Sequence, residues 1–222
     1  MIAARQIAFG KAAGKKEEPP AYWGLCFTAE EAGSTIKMNK TGSAPSVTLE
    51  TSFDCEIWEP FTVGETTITL PNVGDKVYFR AGEGGNTAMA SSLNNYNNFS
   101  IRTGRIAASG NIMSLLNGDS PDSIMAVSCY SSMFYGCTAL AQAPELPATT
   151  LLRTCYNNMF RDCINIDCIK CSFKAFTSAT EQWLTGVSST GTFICPTALG
   201  TNETIQRGPS YCPEGWTVIN EA

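Results

Sequence analysis

The sequence predicts a mainly β protein: an extended N-terminal arm, a small Ig-like β-sandwich, and a short solenoid of repeated coils closed by a C-terminal cap. Three observations predict it. Residues 1–22 are small, basic and then Pro-rich, residues 23–104 break into short β-like runs between turn signals, and two segments after residue 105 repeat each other at a fixed spacing. The 222 residues are 43% hydrophobic and only 16% charged, so the chain has apolar surface to bury and lacks the charge density of disorder.

The arm comes first. Residues 1–16 contain Arg5, Lys11, Lys15 and Lys16 and no acid, so they carry +4 and leave −9 on the remainder within a total of −5. Glu17, Glu18, Pro19 and Pro20 follow, a composition that buries little. The arm reads as a docking peptide for an acidic partner, with the four cations supplying salt-sensitive charge and Ile7 and Phe9 filling apolar pockets. A mobile tail is the plainer alternative. The arm has no apolar run of the roughly 7–15 residues that a secretory leader needs, and nowhere does the chain approach about 18 consecutive apolar residues. Neither export by that route nor membrane insertion is therefore expected. A pI near 4.8 disfavours nucleic acid and anionic membrane as partners.

Residues 23–104 carry the β-module. Runs rich in β-branched and aromatic residues, SVTLET at 46–51, TTITL at 66–70 and KVYFRA at 76–81, predict strands, with Val77 and Phe79 on one face. Thr41-Gly42-Ser43, Pro71 to Asp75 and Gly82 to Asn86 supply the turns between them. The Asn-rich stretch Ser91 to Asn98 reads as an exposed loop.

Residues 105–171 carry the repeat. SCYSSMFYGCTAL at 128–140 aligns with TCYNNMFRDCINI at 154–166 after a shift of 26 residues. Cys129, Tyr130, Met133, Phe134, Cys137 and Leu140 map onto Cys155, Tyr156, Met159, Phe160, Cys163 and Ile166. The period lies in the range of leucine-rich repeats, which place Asn or Cys at an inward turn site, and Cys137 and Cys163 fit that site. Met133, Phe134, Met159 and Phe160 are then packing residues of the repeat core. The same shift backwards reaches Asn111, as if a divergent first coil began there. A single coil cannot cover its own apolar face, so this leucine-rich-repeat-type solenoid needs about three coils and end caps, the last of them at 172–222. Tyr135 is replaced by Arg161 in the next coil, and such a variable position marks a solvent-facing binding face.

The run MFYGCTALAQAPELPATTL at 133–151 resembles the repeat of BspA-like leucine-rich surface proteins of gut Bacteroidota and their phages, including fibre proteins of crAss-like phages. WEPF at 58–61, VGDKVYFRA at 73–81, SGNIM at 109–113 and GWTVINEA at 215–222 extend the likeness. The resemblance implies surface display and binding to host or cell-surface molecules. Combined with the basic arm, it implies a virion protein, a head fibre or capsid-decoration protein. Its partners would be capsid or other virion proteins through the arm and a host-surface glycan or protein through the repeat, with a homotrimer by analogy to fibres. A bacterial adhesin of the same family and a carbohydrate-active enzyme are the alternatives.

Catalytic chemistry is thin. The sequence contains no histidine, which removes Ser-His and Cys-His nucleophile pairs and histidine metal sites. Asp54, Glu56 and Glu59 around Trp58 are the nearest approach to the paired acids of a glycosidase. Cys168 and Cys171, with Cys163 and Cys195, are the nearest to a four-thiolate zinc site, although a single CxxC is more economically read as apolar filling. Gly82, Gly84 and Gly85 match neither phosphate-loop pattern. No cofactor, no metal and no enzymatic activity are expected, and the ten cysteines are expected to be buried free thiols.

Overall fold

The computed structural model describes residues 6–7, 24–117 and 126–221. The first half supplies ten strands: β1 (Gln6–Ile7), β2 (Cys26–Ala29), β3 (Ser34–Thr41), β4 (Leu49–Ser52), β5 (Glu59–Phe61), β6 (Thr67–Leu70), β7 (Lys76–Ala81), β8 (Ala90–Ser92), β9 (Asn95–Thr103) and β10 (Ile106–Ser109). After the one-turn helix α1 (Ser114–Asn117) come β11 (Leu140–Gln142), β12 (Cys168–Lys170), β13 (Gly191–Pro196) and β14 (Trp216–Glu221). They form a five-stranded sheet, β1-β6-β3-β9-β8, and a nine-stranded sheet, β14-β13-β12-β11-β10-β2-β7-β4-β5.

The expected runs at 66–70 and 76–81 appear as β6 and β7, and the run at 46–51 as β4 shifted toward its C-terminal end. Alternation explains β3: Ile36 and Met38 are buried, Lys37 and Asn39 exposed. The turn at 71–75 closes on Asp75, whose carboxylate accepts from the Asn72 backbone at 2.8 Å, while Gly74 takes a φ of +85°. The two sheets meet face to face. Phe27 and Phe79 of the larger sheet pack edge-on against Phe99 of the smaller at 5.0 and 5.3 Å.

One expectation is overturned here. Ser91 to Asn98 is not a loop: β8 and the start of β9 pair through it as a hairpin. Asn97 and Asn98 are buried because their amides find carbonyls, Asn97 at Pro45 and Met89 (3.0 Å each) and Asn98 at Phe99 (3.1 Å). Composition signalled exposure, but the paired amide nitrogens offset much of the burial cost, although Asn97 Oδ1 is buried without a partner.

After β10 the chain becomes a β-solenoid of about three turns. Strands β10 to β14 pair in parallel, and Gln142, Cys168, Thr192 and Thr217 stand in register at steps of 26, 24 and 25 residues. β10 also pairs antiparallel with β2, so one sheet runs without a break from the first module into the coils. The parallel ladder does not stop at residue 171, because β13 and β14 extend it through the segment expected to act only as a cap.

The wall of each coil opposite the strands is a chain of tight turns with a four-residue rhythm. Positive φ recurs at Ser128, Ser132 and Gly136, at Thr154, Asn158 and Asp162, and at Gln182 and Gly186. Small polar residues and Gly dominate there, as the left-handed region requires. Each such residue precedes an inward pair: Cys129 and Tyr130, Met133 and Phe134, then Cys137. Backbone donors alternate in the same rhythm. Tyr130, Ser132, Phe134 and Gly136 donate to Cys155, Asn157, Met159 and Arg161 of the next coil, whereas Ser131, Met133, Tyr135 and Cys137 donate three residues back. The alternation leaves few orphan amides.

Asn111 does not hold the site of Cys137. It bridges Glu145 and Gly24 at the sheet, and its side-chain oxygen accepts from the Met113 backbone at 2.8 Å. The first coil instead stacks directly on β9. Phe99 N–H donates to Met133 O, as Phe134 donates to Met159 and Phe160 to Trp183. The two-sheet module itself therefore caps the solenoid.

Candidate functional site

Every repeat-core residue named from the sequence lies inside. Cys129, Met133, Phe134, Cys137, Leu140, Cys155, Met159, Phe160, Cys163 and Ile166 are all fully buried. Phe99, Phe134 and Phe160 form a column, stacked at 5.3 Å between each successive pair. The turn-site cysteines bind its backbone: Cys137 Sγ donates to Phe99 O at 3.1 Å and Cys163 Sγ to Phe134 O at 2.9 Å. Burial pushes the Cys137 and Cys155 thiols up to about 12 and the Cys163 thiol well above its ordinary value. These thiols are inert packing groups, since the reactive species is the thiolate.

The four cysteines weighed as a zinc set are not assembled. Cys163 is spent on Phe134 O, and among the described residues no group of three or more His, Cys, Asp or Glu is placed to hold a metal ion. The acidic cluster is also committed to local structure. Asp54 Oδ1 accepts from the backbone of Glu56 and Ile57 at 2.9 Å each and from the Ser52 hydroxyl, and these bonds hold its carboxyl below the usual range. Trp58 lies against the Arg80 guanidinium, 4.0 Å from ring centroid to Cζ, and Arg80 pairs with Glu50 at 2.7 Å.

Of the docking arm, Arg5, Phe9, Lys11, Lys15 and Lys16 lie outside the described residues, as do Tyr22 and Trp23. Ile7 stands in β1, in parallel register with Ile68 of this chain's own β6. Among the described residues no helix is long and apolar enough to cross a membrane.

Tyr135 and Arg161 fall at equivalent positions of successive coils, each donating its N–H to the residue three before it. Tyr135 is 36% exposed. Arg161 is tied down: Nη1 donates to Gln182 Oε1 at 2.7 Å, and Nε, buried and without a hydrogen-bond acceptor, lies 3.8 Å from the Asp162 carboxylate. It staples one coil to the next rather than offering a free cation.

A second surface was not read from the sequence. At the far end of the solenoid, the loops at 176–181 and 206–211 enclose an open groove of about 520 Å³. Phe176 and Tyr211 meet edge-on in it at 5.4 Å, with Ser178, Glu181, Gln206 and Ser210 around them. Both loops are pinned. The Thr177 hydroxyl accepts from Ala179 N–H at 3.1 Å, Ser210 Oγ from Gln182 N–H at 2.9 Å, and Tyr211 O from Trp183 Nε1 at 3.0 Å. The groove's volume falls in the range of small-ligand clefts, but its lining is more polar than is usual for them. Comparison of the chain with protein-family models, with curated proteins and with solved structures returns no match.

Proposed function

We propose that the chain is a non-catalytic structural protein of a bacteriophage virion, a head fibre or capsid-decoration protein that docks through its N-terminal arm and displays the solenoid for attachment to the host surface. The observation that carries this reading is the unbroken nine-stranded sheet, backed by the aromatic column, which makes the module and coils one stiff body. At about 4.8 Å per strand it spans roughly 40 Å. β9 and β8 meet the first coil while β1 lies at the opposite edge of the smaller sheet, so β1 and the groove stand at different ends of the described residues. A display protein needs that separation: an anchoring end and a presenting end joined without a hinge. The resemblance of 133–151 to BspA-like repeats adds the surface-binding role, and the antiparallel strands and 26-residue period support reading the halves as an Ig-like sandwich and a leucine-rich-type repeat.

The test is immunogold electron microscopy of lysates from the source host, with antibody against residues 105–222. Label on phage particles is expected. Label confined to bacterial envelopes overturns the virion reading in favour of an adhesin.

A further inference from the structure

The groove at the end of the solenoid joins the two surfaces that a sugar ring requires. A pyranose has an apolar face of C–H bonds and an edge of hydroxyls. It is held where an aromatic ring meets the first and carboxamide, carboxylate or hydroxyl groups meet the second. Tyr211, 37% exposed, supplies the ring. It is preorganised, because its edge-on partner Phe176 packs in turn on Phe173 at 5.7 Å and its own carbonyl is held by Trp183. Little side-chain entropy is left to lose on binding.

The polar groups are available. Ser178 and Gln206 make no side-chain hydrogen bond among the described residues, and Glu181 receives one long contact, from Asn157 Nδ2 to Oε2 at 3.4 Å. Charge then separates the ligand classes. Among the described residues Glu181 lines the groove and no Lys or Arg does, since Arg207 turns away to the carbonyls of Pro213 and Trp216 at 3.0 and 2.8 Å. A phosphate, sulfate or acidic sugar would meet a carboxylate without a compensating cation. An apolar peptide would leave three polar side chains unpaired.

We propose that this groove, floored by Tyr211 and Phe176 and edged by Glu181, Gln206 and Ser178, binds an uncharged sugar unit of a surface oligosaccharide. The inference rests on the attachment reading and names its ligand class and site. The experiment is an array of neutral and acidic oligosaccharides probed with the full chain and with Tyr211→Ala, Tyr211→Phe, Gln206→Ala and Glu181→Gln, alongside adsorption of the labelled chain to cells of the bacterial host. Neutral glycans should bind. Tyr211→Ala and Gln206→Ala should weaken binding by about tenfold or more, Tyr211→Phe should retain it, and the exposed Gln206→Ala should leave the unfolding midpoint unchanged. Equal binding by the parent, Tyr211→Ala, Gln206→Ala and Glu181→Gln overturns the groove assignment and leaves attachment standing. A chain that adsorbs to cells but binds no glycan, or binds only acidic ones, overturns the neutral-sugar assignment. A chain that binds neither glycans nor cells overturns the attachment reading and this site with it.

Discussion

Tyr130 and Tyr156 occupy the same place in successive coils, yet their hydroxyls fare differently. Tyr130 Oη donates to Ile112 O at 3.1 Å, whereas Tyr156 Oη is buried without a partner. A satisfied buried hydroxyl contributes about 1 kcal/mol and an unsatisfied one costs a similar amount or more. Tyr156→Phe should therefore raise stability by about 1 kcal/mol and Tyr130→Phe lower it by about 1 kcal/mol. Urea unfolding with an unchanged m-value measures both, and shifts of the same sign would contradict the assignment. The buried thiols give a pH dependence. Burial raises Cys137 and Cys155 to about 12 and Cys195 and Cys212 to about 11, from an ordinary 9.0. A group raised in the fold keeps its proton there and loses it in the unfolded chain. Its stabilisation is intact below about pH 9 and is lost as pH rises toward the folded values. The thermal midpoint should hold steady from pH 7 to about pH 8.5 and fall above it, and a midpoint that climbs with alkali would refute this account.

At the scale of elements, the outer edge of β14 shows how the stack is stopped. Asn202 offers its carboxamide to both backbone groups of Val218, accepting its N–H at 2.7 Å and donating to its carbonyl at 3.1 Å, so one side chain imitates a neighbouring strand. Arg207 covers the Trp216 carbonyl in the same way at 2.8 Å. An uncovered parallel edge is a template for another chain. Asn202→Ala should expose it, and sedimentation velocity at rising concentration should reveal species larger than those of the parent. Identical profiles would show that the edge is protected by something else. The coils themselves were only partly legible. The Cys-Tyr, Met-Phe and Cys spacing announced two, but the third replaces Cys155, Tyr156, Met159 and Phe160 by Ala179, Thr180, Trp183 and Leu184 and is two residues shorter, which erases the alignment. Its turn geometry survives because positive φ at Gln182 and Gly186 needs no shared core residue.

For the molecule as a whole, the groove was illegible because Phe176, Glu181, Gln206 and Tyr211 are brought together only by the stacking of coils, and no local pattern ties them. The boundary at residues 104–105, drawn where β-like runs give way to the repeat, is not a boundary in the core. Phe79, Phe99, Phe134, Phe160 and Trp183 contact one another in sequence, with centroids 5.3 to 6.4 Å apart, and Cys137 holds the Phe99 carbonyl across the junction. Among the described residues, one cluster of buried apolar side chains runs from Leu25 to Val218. Two modules joined by a polar linker would melt separately, but elements sharing one core are expected to unfold together. Calorimetry of the full chain should give one transition with equal calorimetric and van't Hoff enthalpies, and residues 1–104 alone should lack cooperative unfolding, because Phe27 and Phe99 would lose Phe134 and face water. Phe134→Ala in the full chain should cost about 3–5 kcal/mol and destabilise both halves equally, as read by hydrogen exchange in β3 and in β13. Loss of protection confined to the solenoid would mean that the first half is an independent domain, and the stiff coupling on which display at a distance depends would be lost with it.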